Sequence, residues 1–384
     1  MYGTFVLNAL IALSVVASNE AKVTVTQVQV LFRHGERTPR LKEMYPRDIY
    51  SVADYEPWGL GQLTNVGKRR EYKIGQVLKR RYKDLLGSLY VPRDVYAVST
   101  DCDRTKMSLQ LVLAGLFPPG DIQTWHTEIP WHPIPIHYVP TELDIVMKAS
   151  SCPQFKDTVA QILQLPEVKA KIAVYEPLFK FLTLKTGLNI TTLKEVYEIY
   201  NLVVAQQAMN LTLSEWTTDS VVKKMSEVTV LYYAIRSYTT QAKRLNGGPM
   251  VRQFIENMRL ESADRAREKS RKIYLYSAHE VTISSYLQAL GITEQKIPFY
   301  GTAIMIERLE DTEGKIYVRM ILWTGVTEQL VTLRLPGCED ICPIERYLQL
   351  TRELIPSDEE MDCHWRRLSD SELRRVIQEQ TSQD

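Results

Sequence analysis

From Val23 to Phe32 the chain alternates tightly between apolar and small polar residues, Val-Thr-Val-Thr-Gln-Val-Gln-Val-Leu-Phe, with β-branched types dominating. That pattern predicts a β-strand. Val95–Thr100 and Ile273–Ala278 are two further short apolar runs that read as buried strands. Charged residues follow each of the three, and after the second and third the apolar positions switch to helical spacing, over Lys106 to Leu116 and Val281 to Leu290. Between these blocks, roughly from Trp125 to Gln253, the pattern is mostly helical, with Thr192 to Ala208 and Ser220 to Lys243 as its clearest helices. At 384 residues the chain exceeds what one hydrophobic core normally spans. We therefore expect an α/β domain built from 23–124 and 254–336, a helical cap over 125–253, and a tail over 337–384. The break Asn246-Gly247-Gly248-Pro249 marks the second junction.

In open α/β sheets, ligands bind beyond the carboxyl ends of parallel strands, so the residues just past each strand carry the chemical information. After the first strand stands Arg33-His34-Gly35-Glu36-Arg37-Thr38-Pro39. Two guanidiniums beside one imidazole lower its pKa by like-charge repulsion and attract a dianion, so a neutral histidine faces a bound phosphoryl group. Gly35 is expected to leave room for backbone to approach the ligand, and Pro39 to stiffen the exit from the turn. After the second strand comes Asp101-Cys102-Asp103-Arg104, and after the third His279-Glu280. Together the three ends supply a nucleophile, several cations and a carboxylic acid. Cys102 reads as a small buried residue.

With these residues in place, the chain resembles the histidine acid phosphatases, the branch that includes prostatic and lysosomal acid phosphatases, and within it the secreted insect venom-type enzymes. The resemblance covers nearly everything after residue 22, including Gln62-Leu63-Thr64 with Gly67, Leu116-Phe117-Pro118-Pro119, Tyr276-Ser277-Ala278-His279 and Leu335-Pro336-Gly337-Cys338. It implies a phosphoglycerate-mutase-like α/β domain with an inserted helical cap, and hydrolysis of phosphate monoesters at acidic pH through a phosphohistidine, without metal or other cofactor (the activity classed EC 3.1.3.2). His34 would be the nucleophile; Arg33, Arg37, Arg104 and His279 would hold the phosphoryl oxygens; Glu280 would protonate the leaving alcohol. Trp216 matches a tryptophan lining the substrate cleft of prostatic-type enzymes. The branch normally has His-Asp where this chain has His279-Glu280, one methylene longer. That departure raises a second reading, a secreted phosphate-binding relative with impaired turnover. A narrower phosphatase for lysophosphatidic acid or phytate is a third, although no dense basic patch advertises a polyanion. A phosphotransferase of the phosphoglycerate-mutase kind shares the phosphohistidine chemistry but is typically cytosolic.

Composition narrows the setting. With 47 basic and 46 acidic residues the net charge is +1, so nothing points to a nucleic-acid or membrane-surface partner, and affinity for phosphate must be local. Phe5 to Val16 is an apolar run too short to span a bilayer, and Ala17-Ser18 behind it suit signal-peptidase cleavage. A signal peptide over 1–18 and secretion without a membrane anchor are the expectation. In that setting the sequons Asn189-Ile190-Thr191 and Asn210-Leu211-Thr212 are glycosylation candidates. Of five cysteines, Cys338 and Cys342 are close enough for a local bridge, and Cys152 with Cys363 matches a long-range bridge of the prostatic-type enzymes. Cys102 is then the odd one. The oligomeric state stays open, with dimers occurring among the relatives.

Overall fold

The first apolar run folds as β1 (Thr24–Arg33), and the next two as β2 (Val95–Thr100) and β4 (Ile273–Ala278). The computed structural model describes residues 23–263, 271–292 and 296–363; the expected signal peptide and residues 364–384 of the expected tail lie outside them. Five more strands complete the sheet: β3 (His137–Val139), β5 (Ala303–Glu310), β6 (Ile316–Trp323), β7 (Leu330–Leu333) and β8 (Cys342–Pro343). The strand order is β3-β2-β4-β1-β5-β6-β7, with β8 paired to β6. β3, β2, β4 and β1 run parallel, whereas β5, β6 and β7 continue antiparallel. β4 sits between β1 and β2, and its register sets Arg33 beside Ala278 and Ser99 beside Ser277. The three carboxyl ends are therefore level.

Strand side chains alternate between two apolar layers. Val28, Val30 and Phe32 of β1 join Ile74, Leu78, Leu109 and Val112 of the helices Asn65–Arg81 and Asp103–Leu116. Leu31 points the other way, into a cluster with Phe254 and Ile255 of the Gly248–Ala263 helix, Ile283 of the Glu280–Ala289 helix and Tyr347 of the Ile344–Thr351 helix. Gln27 and Gln29 share that second face and are fully buried; Gln29 donates to the Phe254 carbonyl at 2.8 Å and accepts from Asn257 at 2.7 Å. The hydrogen bonds offset the cost of burying these amides.

A third cluster belongs to the helical layer, running from Ile162 to Ala242 and joined by Tyr45. Two pieces of the 125–253 span lie elsewhere: β3 extends the sheet edge, and the Gly248–Ala263 helix covers a sheet face. The turn at Asn246 and Gly247 is where the chain passes from one layer to the other. The stretch after Pro336 also does more than trail, since β8 pairs with β6 and Tyr347 is fully buried in the core. Ile344, Leu348, Leu350 and Leu354 pack against the same core cluster, a face that closes only once the sheet is assembled. Cys152 is bonded to Cys363 and Cys338 to Cys342, leaving Cys102 as a free thiol.

Candidate active site

β1 delivers His34 beyond its last residue, β4 delivers His279 and Glu280 beyond its own, and the helix that follows β2 carries Arg104 in its first turn. The His34 and His279 rings lie 5.5 Å apart, nearly perpendicular. His34 is buried, with its backbone N–H on the Ala278 carbonyl at 3.1 Å. Its Nδ1 lies 2.8 Å from the Gly35 carbonyl, which only accepts, so Nδ1 carries the proton and Nε2 keeps a lone pair. Burial, followed by the charges of Arg104, Arg33, His279 and Arg37, holds its pKa well below the imidazole range. Burial and Arg104, from another segment, thus outrank the neighbouring Arg33 and Arg37.

Around this lone pair are cations with unspent donors. Arg33 gives Nη1 to the Pro298 carbonyl at 2.9 Å and lies 4.0 Å over the Tyr300 ring, yet its Nη2 has no hydrogen-bond partner. Arg104 leaves Nε without one and has no ion pair among the described residues. Buried donors are normally satisfied, so orphaned guanidinium N–H groups beside a neutral histidine define an anion site. Arg37 is held differently: both terminal nitrogens bind Glu43, at 2.7 and 2.6 Å, and only Nε is unpartnered. Arg40 pairs with the same carboxylate at 2.6 Å. His279 Nε2 lies 3.0 Å from Thr100 Oγ1. Its pKa also falls well below the usual range, through burial and then the Arg104 and Lys148 charges.

Glu280 is the first residue of its helix and is buried, with Oε2 3.2 Å from Arg33 Nε and Oε1 accepting the Tyr197 hydroxyl. Burial alone would raise its pKa; Arg33, His279 and Arg40, with the tyrosine hydrogen bond, outweigh that and hold it well below the carboxylate range. A helix N-terminus favours the anion further. Without a ligand, Glu280 is an anion.

Gly35 has a different role from the one expected. A Cβ there would lie 2.5 Å from the Gly67 carbonyl, and one on Gly67 would lie 2.2 Å from the Glu36 carbonyl. The space serves the docking of the Asn65–Arg81 helix under the loop, not a ligand. Glu36 is buried against Arg70 at 2.6 Å. Trp216 packs its ring against Tyr45 at 6.0 Å and Phe181 at 6.2 Å, on the helical layer beside the segment carrying Glu43. Asn189 and Asn210 are exposed. Glu43, Tyr197 and Tyr300 escape sequence reasoning, because nothing local distinguishes them from other carboxylates and phenols.

Glu43 has a testable consequence. Burial would raise its pKa, but Arg37 and Arg40 hold it at about 2, against 4.5 for a free glutamate. A depressed carboxylate stabilises the fold fully above its unfolded pKa and loses that contribution as pH falls from about 4.5 toward 2. Glu43→Gln leaves a buried guanidinium uncompensated and is expected to cost about 3–5 kcal/mol at pH 6. Thermal melts of the two proteins should draw together as pH falls from about 4.5 and meet only near pH 2.

Comparison with known proteins fits this geometry. The family model described as Histidine phosphatase superfamily (branch 2) matches residues 24–323. The chain is 41% identical over 355 residues to the venom acid phosphatase Acph-1 of Apis mellifera, covering 92% of this chain and 91% of that one. It is 31% identical over 343 residues to the prostatic acid phosphatase of Bos taurus, covering 88% and 87%. It is 31% identical over 342 residues to the lysosomal acid phosphatase of Homo sapiens, covering 88% and 79%. Among solved structures, the apo form of Hafnia alvei phytase superposes with a TM-score of 0.64 at 18% identity, over 88% of this chain and 98% of that one. At that identity the likeness speaks for the fold.

Proposed function

From the premise that this chain belongs to branch 2 of the histidine phosphatase superfamily and is an acid-phosphatase-type hydrolase, we propose that it cleaves phosphate monoesters at acidic pH through a phosphohistidine on His34. The observation that carries the reading is the free Nε2 lone pair of a neutral, buried His34 among the unspent donors of Arg33 and Arg104. Nε2 attacks phosphorus, the bond to the leaving oxygen breaks, and Glu280 gives that oxygen its proton. Water then attacks the phosphohistidine, Glu280 takes a proton from it, and phosphate leaves. Arg33, Arg37, Arg104 and His279 hold the equatorial oxygens through both displacements. Trp216, on the helical layer against Tyr45 and Phe181, is the tryptophan that would line the substrate cleft in this reading.

Glu280 is an anion before substrate arrives, so its proton must come with binding. A bound phosphate dianion offsets Arg33, the strongest charge holding the proton off, and adds a negative neighbour. The second pKa of a phosphate monoester is about 6, so below that pH the substrate brings the proton as its monoanion. An acidic optimum follows.

The direct test is phosphate release from an aryl phosphate at about pH 5 with chelator present. Turnover is expected; a folded protein that binds vanadate and releases nothing would overturn the reading. Arg104→Ala is expected to lose on the order of 10²–10³ in kcat/KM, with weaker inhibition by phosphate, since its donors have no other employment.

The two disulfides and the apolar leader favour secretion, and the relatives named above include venom and prostatic enzymes. Among the described residues no helix is long and apolar enough to cross a membrane. A homodimer is the partner arrangement that suits the surface: β3 is an open sheet edge whose residues are all exposed, and Trp125, Ile129 and Trp131 lie exposed in the segment leading to it. Light scattering after size exclusion should give twice the chain mass, and Trp131→Arg should reduce it toward one.

A further inference from the structure

Glu280 has one more side-chain torsion than an aspartate in its place, and a misplacement of about 1 Å costs on the order of 10²-fold in rate. Something must remove that freedom. Its carboxylate is approached from two sides by groups from different layers: Arg33 of the sheet at Oε2, and Tyr197 of the Leu193–Ala208 helix at Oε1, with the phenol as donor. Tyr197 is itself clamped. Its ring stacks on Tyr232 at 4.9 Å and 24°, and meets Tyr233 edge-on at 5.9 Å, both from the Asp219–Ile235 helix.

We propose that Tyr197 is a positioning residue for the proton donor: by donating to Oε1 it leaves Oε2, the oxygen turned toward Arg33 and the phosphoryl site, as the place where the catalytic proton resides. This rests on the reading of Glu280 as the acid. Once Oε1 accepts the phenol O–H, a proton on that same oxygen would compete with the hydrogen bond, whereas Oε2 is free to take one when the bound phosphate offsets Arg33. The phenol does not itself relay the proton, because burial and then the Glu280 charge push its ionisation well above the usual phenol range. The helical layer thus contributes to the chemistry as well as covering it.

The experiment compares kcat/KM, which reports the first phosphoryl transfer, for 4-nitrophenyl phosphate and for glycerol 2-phosphate. A nitrophenolate leaves without help, whereas an alkoxide needs the proton. Tyr197→Phe keeps the ring and its stack; it is expected to lower kcat/KM for the alkyl ester by roughly 10–100-fold and for the aryl ester by less than about threefold, with inhibition by phosphate unchanged. Equal losses on both esters, or none, would overturn the proposal. Glu280→Gln separates the two levels: if that variant shows no preference for the aryl ester, the reading of Glu280 as the acid fails. If it does and Tyr197→Phe does not, only the role of Tyr197 fails. In the double variant the phenol has no acid left to position, so the aryl preference should not exceed that of Glu280→Gln. Should Tyr197→Phe not fold, Tyr232→Leu, which removes the stacking partner and leaves the phenol, is expected to shift the preference the same way, and its failure to do so would count against the proposal.

Discussion

His34→Ala should abolish turnover, lowering kcat by on the order of 10⁵–10⁶-fold, the scale seen when a covalent nucleophile is removed. The side chain makes one hydrogen bond, to the carbonyl of its own neighbour, so its loss leaves the fold without a long-range defect. Arg33 and Arg104 remain, and phosphate or vanadate should still bind. The sharpest readout is acid-stable, base-sensitive chemistry in reverse: a phosphohistidine is labile to acid, so labelled phosphate retained after an alkaline quench should appear on the wild type and vanish in the variant. Covalent label persisting in His34→Ala would move the nucleophile elsewhere, with His279, its ring 5.5 Å away, the first candidate.

Glu280→Gln has the next largest expected effect, a loss of about 10²–10⁴-fold on alkyl phosphates, since the amide fills the same space and donates no catalytic proton. The sign of the pH dependence follows from the charges around it. In the free enzyme Arg33, His279 and Arg40 keep Glu280 ionised, and a bound phosphate offsets that field, so the protonated fraction in the complex declines as pH rises. Wild-type kcat should therefore fall on the alkaline side, and that limb should flatten in the variant. If aryl and alkyl esters lose equally and the limb stays, Glu280 acts by holding Arg33 at 3.2 Å and not as the acid.

The same residues show how far a chain can be read unaided. Every element that places the chemistry is announced locally: an apolar run and then charge at β1, β2 and β4, with helical spacing following directly after β2 and β4. Such signals survive because strand ends and helix starts depend on residues within a few positions of each other. Gly35 was legible as a position needing room but not as to what fills it, since Gly67 arrives on a helix thirty-odd residues later. Gln27 and Gln29 look like the polar face of a half-exposed strand. They are buried, because the Gly248–Ala263 helix brings the Phe254 carbonyl and the Asn257 side-chain amide to Gln29 and the Asn257 carbonyl to Gln27.

By itself the sequence determined the strand-end motifs and the side chains they carry: the histidine at 34, the cations Arg33, Arg37 and Arg104, and the carboxylate beside His279. Each is encoded as residue type and spacing inside one short segment. Only the tertiary structure decided that β4 lies between β1 and β2, so that the three ends converge. It also decided that Glu43 takes up Arg37 while Arg33 and Arg104 keep donors free, and that Tyr197 comes across from the helical layer to Glu280. These pairings join segments far apart in the chain, and many carboxylates and phenols have the chemistry to make them. Which ones do is settled by packing the sheet and the helical layer together, and by the cost of leaving a buried charge or donor without a partner.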